Sequence, residues 1–181
     1  MRQTILAKRY AKALFAVGKE EGTFADYTKV LNELAALIKQ YPEVLDGLTN
    51  PLYPLEVRGK VMSDLIKALG TDQIMANFLN LLVQKKRADI LSELAEVYQS
   101  LVDDDQNVCR GNIVSATELS EGVQGKVRST LEKITGKKVI LATEVDPSII
   151  GGIVAKVGDL VLDGSIKTQL GGLNESIKGS E

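Results

Sequence analysis

IIGGIVAKVGDLVLDGSI, residues 149–166, is the stretch on which the reading of this chain turns. Its glycines could cradle a phosphate, which would make the protein a nucleotide enzyme. They could instead turn the backbone of a hairpin that carries no chemistry. Gly151 and Gly152 precede a strand-like run and do not join a strand to a helix, so no helix N-terminus follows to receive a phosphate. Gly158-Asp159 falls between GIVAKV and LVLD and suits a two-residue hairpin turn that begins with glycine. The phosphate-loop pattern fails elsewhere too: ahead of Gly136-Lys137 the first glycine position holds Leu131, and Lys138 replaces the hydroxyl residue. Gly151, Gly152, Gly158 and Asp159 are therefore read as structural hairpin and turn positions, and no cofactor is expected.

The surroundings extend this reading. Residues 108–117 read as a strand, Ser120 to Ile134 as a helix with Val123, Val127, Leu131 and Ile134 on one side, and KKVILATEV as a second strand closed by Asp146-Pro147. After the hairpin, Ile166, Leu170, Leu173 and Ile177 form a narrow helical stripe, weakened by Gly171 and Gly172. Residues 105–181 thus predict a small α/β domain.

The first hundred residues read as helices. One runs from Thr4 to about Glu21 and stops at Gly22. Phe24, Tyr27, Leu31, Leu34 and Ile38 define a second. Pro42, Pro51 and Pro54 leave room for one short helix. Pro54 then opens another that ends at Gly70, and two more follow over about Thr71–Lys86 and Asp89–Val102, with Asp89 as N-cap. Short connections predict an antiparallel six-helix bundle over residues 1–104. The whole chain is α+β. The acidic run DDDQN, residues 103–107, reads as a solvated linker at the boundary. Its spacing suggests a calcium loop, but Val108 stands where the turn glycine is needed and Val114 where the final Glu is needed, so no metal is expected.

Composition narrows the function. The net charge is −2, and neither half is basic, so a nucleic-acid partner has little electrostatic support. There are no histidines, which removes the commonest general acid–base and metal ligand. Cys109 is the single cysteine, so no internal disulfide forms. No serine or cysteine nucleophile has a histidine partner, no catalytic residue is assigned, and an enzyme is the minority reading. No apolar run approaches ~20 residues, so no direct membrane insertion is expected. Residues 1–19 carry basic and no acidic side chains, as transit peptides do. They are poor in serine and hold Tyr10, Leu14 and Phe15 in helical register, which favours a structural helix.

Two helices are apolar beyond one contact face. On a wheel of 100° per residue the apolar side chains of residues 4–21 cover about 200° and those of 71–86 about 220°, against the roughly 100° that one-sided packing needs. Either these helices are central, with neighbours on two sides, or they form an exposed groove for an amphipathic partner helix. Periodicity alone does not separate the two.

AKRYAKALFAVGKEEG near the start and VDPSIIGGIVAKVGDLVLDGSI near the end resemble the signatures of the delta subunit of bacterial F-type ATP synthases, the family of the mitochondrial oligomycin-sensitivity-conferring protein. Many members have proline where this chain has Arg9. The resemblance implies a non-catalytic stator protein, one copy per complex, peripheral on the cytoplasmic face of the bacterial inner membrane. It implies that the bundle grips the N-terminal helix of an alpha subunit and that the C-terminal domain holds the b subunits of the peripheral stalk. It places the groove between the first and fifth helices, the two with wide apolar arcs, so Tyr10, Ala13, Leu14, Phe78, Leu81 and Leu82 are the groove candidates. A helix-binding adaptor outside ATP synthase is the alternative.

Overall fold

The computed structural model describes residues 2–149, 151–158, 160–166, 168 and 170. The chain divides into two compact units, Met1–Val102 and Asp103–Glu181. Six α-helices come first: Arg2–Glu21 (α1), Phe24–Gln40 (α2), Pro42–Thr49 (α3), Leu55–Leu69 (α4), Gln73–Gln84 (α5) and Leu91–Asp105 (α6). The punctuation has plain causes. Pro42 occupies the first turn of α3, where its missing N–H is not needed. Gly70 ends α4 in the left-handed region (φ 61°), open to glycine at little cost. Asp72 caps α5 by accepting from Met75 N. Asp89 is not the cap of α6: it lies inside a 3-10 turn, Ala88–Ile90, that leads into that helix.

The core of the first unit is built at helical spacing. Ala7, Ala11 and Leu14 of α1 meet Leu31 and Leu34 of α2, Met62 of α4, Met75, Leu79 and Leu82 of α5, and Leu94 and Tyr98 of α6 in one buried cluster. The alanines let neighbouring backbones come close. Phe15 joins Phe24 and Tyr98 edge-to-face at 6.1 and 6.0 Å, and the Tyr98 hydroxyl donates to Phe24 O (3.2 Å), so the buried phenol is satisfied. Burial pushes the Tyr98 pKa up.

The acidic run lies at the boundary between the two units in sequence, and its first three residues are helical. Asp103, Asp104 and Asp105 complete the last turn of α6. Acids at a helix C-terminus oppose the macrodipole. Two cations offset this. Arg110 pairs with Asp103, and Lys137 Nζ donates to Asp104 Oδ1 at 3.0 Å. That hydrogen bond and its charge hold the Lys137 pKa above the usual lysine range.

The second unit contains Val108–Ser115 (β1), Glu121–Thr135 (α7), Lys138–Val145 (β2), Ile153–Val157 (β3) and Leu160–Asp163 (β4). The sheet order is β2-β1-β3-β4. β1 and β2 are parallel, joined across α7, and β3 runs antiparallel to both β1 and β4. Alternation places Ile113, Val139, Ala155 and Val157 in one small aliphatic core with Leu131 of α7. Ser120 precedes α7 and Gly136 ends it at φ 67°. Of the expected last stripe, Ile166 and Leu170 are exposed, and Leu173 and Ile177 lie outside the described residues, as do Gly171 and Gly172.

Candidate functional site

The two wide helices, α1 and α5, are each covered over part of their arc. On α1 the core takes Ala7, Ala11 and Leu14. A second stripe beside it, Leu6, Tyr10, Ala13 and Val17, is half-buried or exposed. On α5 the core takes Met75, Leu79, Leu82 and Val83, while Ile74 and Phe78 are half-buried and Leu81 is 40% exposed. The two outer stripes meet where the rings of Tyr10 and Phe78 pack edge-to-face, with centroids 6.4 Å apart.

The six groove candidates therefore separate. Tyr10, Ala13, Phe78 and Leu81 lie on the partly open surface. Leu14 (3% exposed) and Leu82 (0%) do not: their side chains point into the bundle, because each sits one helical step round toward the core stripe. They support the surface from beneath and do not line it. Leu6, Val17 and Ile74 extend the surface along both helices. Their positions, four residues from Tyr10, four from Ala13 and four from Phe78, are the signal that could have found them.

In the second unit the glycines do what a hairpin needs. Val157 pairs directly with Leu160, so two residues make the β3–β4 turn, and Gly158 adopts φ 57° there. Asp159 lies outside the described residues. Gly151 and Gly152 lie against the segment that follows β4. Ile166 N donates to Gly151 O (3.0 Å) and Gly164 N to Ile153 O (2.9 Å). Gly152 has φ 88°, and a Cβ there would run into Gly164 O and Ser165 Cα. The pair thus allows two backbones to touch. Asp163 closes this corner: it accepts from Ser165 N (2.9 Å) and from the Thr168 hydroxyl (2.7 Å). Those bonds, the backbone one first, lower its pKa below the ordinary carboxylate value.

Among the described residues no three His, Cys, Asp or Glu side chains assemble as a metal site, and no helix is long and apolar enough to cross a membrane. Cys109 is half-buried beside the hairpin. Among the described residues, the partly exposed apolar stripes of α1 and α5 adjoin at the Tyr10–Phe78 contact.

A helical bundle with partly exposed apolar stripes on α1 and α5, followed in sequence by a small α/β unit, defines a two-unit α+β protein. Residues 6–177 match the model of the ATP synthase delta (OSCP) subunit family. The chain is 63% identical over 181 residues to ATP synthase subunit delta of Desulfotalea psychrophila, covering all of both chains. It is 45% identical to that of Desulfosudis oleivorans, over 100% of this chain and 99% of the other. The fold matches a chain in the cryo-EM structure of the Toxoplasma gondii mitochondrial ATP synthase hexamer with a TM-score of 0.73 at 22% identity, covering 95% of this chain and 97% of that one. The chain belongs to the ATP synthase delta (OSCP) subunit family. It is a non-catalytic stator component of the peripheral stalk, associated with the ATP synthase complex.

Proposed function

We propose that the first unit grips the N-terminal helix of an alpha subunit in the cleft between α1 and α5. The second unit, from about residue 105, holds the b subunits of the stalk. One copy per complex, on the cytoplasmic face of the bacterial inner membrane, then ties the catalytic head to the stalk. The head is kept from turning with the rotor, so ion flow is converted into ATP synthesis and not into idle rotation.

The carrying observation is the pair of half-open stripes, Leu6, Tyr10, Ala13 and Val17 on α1 and Ile74, Phe78 and Leu81 on α5. Both run at 3–4-residue spacing, which is what an amphipathic helix laid along them would meet. Ala13 lets a partner backbone approach, while Tyr10, Phe78 and Leu81 supply apolar area, worth about 25 cal/mol for each Å² removed from water. Calorimetric titration of the full chain with a synthetic peptide of the alpha-subunit N-terminus tests this. Saturable one-to-one binding is expected. A peptide that fails to bind, while an intact catalytic head does, would move the site elsewhere.

A further inference from the structure

The cleft walls are tied to each other by a residue that does not line the cleft. Tyr27, on α2, is 2% exposed. On one side its ring lies against α1 at Gly18, where even an added Cβ would come within 3.0 Å of Tyr27 Cδ2 and 3.1 Å of Phe24 Cα. On the other side its hydroxyl donates to Asp72 Oδ2 at 2.7 Å. Asp72 is the N-cap of α5, and its second oxygen accepts from Met75 N at 2.9 Å. One carboxylate thus holds the first turn of α5 and the phenol of α2 together. Burial, with the Asp72 carboxylate beside it, raises the Tyr27 pKa, so the phenol stays protonated and keeps donating at neutral pH.

Along α1, Gly18 lies two turns from Tyr10; along α5, Asp72 lies under two turns from Phe78. The walls therefore meet directly at Tyr10–Phe78 and indirectly through Gly18, Tyr27 and Asp72. A cavity of about 270 Å³ bounded by Thr23, Tyr27, Thr71 and Asp72 leaves Asp72 room to shift if the phenol lets go.

We infer that Tyr27 is a positioning residue for partner binding: through Asp72 and Gly18 it sets the spacing of α1 and α5, and hence the width of the helix-binding cleft. This rests on the alpha-helix reading above, so the test has one arm that needs no partner. In a full-length Cys109→Ser background, spin labels at Lys12→Cys and Gln84→Cys, both exposed, report the wall separation. Tyr27→Phe keeps the ring and removes the hydrogen bond. The label distance should broaden or shift by about 1–2 Å, the scale of helix slides. Affinity for the alpha peptide should fall by roughly 3–10-fold, the scale of one typical intramolecular hydrogen bond.

Gly18→Ala presses on the same ring from α1 with the hydrogen bond intact. Alanine is the better helix former, so weaker binding from a variant with undiminished helical stability separates spacing from stability. A folded Tyr27→Phe protein with unchanged distance, or with unchanged affinity, overturns the inference, even if its melting temperature drops. A shifted distance in a protein whose parent binds no alpha peptide upholds the brace and overturns the proposed partner instead.

Discussion

Arg110, in the first strand, holds Asp103, in the last turn of the preceding helix, through two parallel hydrogen bonds: Nε donates to Oδ2 at 2.7 Å and Nη2 to Oδ1 at 3.2 Å. Asp103 is nearly buried while Arg110 is half exposed. The fork geometry gives the Arg110–Asp103 pair a defined orientation. The backbone between them is also engaged, with Asn107 N donating to Asp104 O and Lys138 N to Asn107 O.

Limited proteolysis should therefore spare residues 103–107 in the parent, because cleavage needs a segment that opens. Asp103→Ala should expose it, lower stability by about 1 kcal/mol, given the half-exposed guanidinium, and bring new cuts within the run. Fragment masses after treatment with an Asp-specific protease would show this. Rapid cutting of the parent between Asp103 and Asp105 would show that these bonds do not hold the run closed in solution.

Gly152→Ala should be far more costly than Gly136→Ala. Both glycines have positive φ, 88° and 67°. At Gly136 a methyl group meets nothing within 4 Å, so the loss should be about 1 kcal/mol, from the backbone conformation alone. At Gly152 the methyl meets the backbone of Gly164 and Ser165, which cannot swing aside as a side chain would. Strain and overpacking together should cost about 3 kcal/mol or more. Denaturant midpoints of the two variants would rank them, and equal losses would refute the close approach.

Acid should loosen the corner that Asp163 holds. Its folded-state pKa lies below the ordinary aspartate value. The stabilisation is therefore present above about pH 4 and is lost as pH falls through the lowered value. Carbon-detected titration should find the Asp163 carboxyl protonating below an unstructured reference. Amide exchange at Ser165 should quicken over the same interval. A carboxyl that titrates with the reference would show that its bonds to Ser165 and Thr168 do not persist in solution.

Periodicity served well wherever one face was buried. The stripe Phe24, Tyr27, Leu31, Leu34 and Ile38 falls on α2, and GIVAKV–GD–LVLD falls on the β3–β4 hairpin. Three features were not legible. The pairing of the acidic run is hidden because its compensating charges, Arg110 and Lys137, come from later elements that only the fold brings near. Leu14 and Leu82 fall within the wide apolar arcs but are buried, because a helical wheel gives the width of an apolar arc and not which half a neighbour covers. Tyr27 read as one more core position, since nothing in its spacing announces a hydroxyl directed at Asp72, forty-five residues away.

The contrast between Leu81 and Leu82 offers the sharpest test of the cleft. They are adjacent in sequence and similar in chemistry, but one is 40% exposed and the other fully buried. Aspartate at Leu82 would place a carboxylate in the buried cluster that also holds Met75, Leu79 and Leu94. Burying an unpaired charge costs several kcal/mol, a large part of the roughly 5–15 kcal/mol that holds a domain together. Leu82→Asp should therefore lose helical circular dichroism or melt far below the parent. Leu81→Asp should keep the parent spectrum, because that side chain already meets water in the free protein. Its cost should appear on binding, when an apolar partner face covers the new charge, and affinity for the alpha peptide should drop by at least ~10-fold, or about 1.4 kcal/mol. A folded Leu81→Asp protein that binds as tightly as the parent would place the partner off this part of α5. Unfolding of Leu81→Asp would show instead that the outer stripe is core, leaving no cleft for a helix to enter.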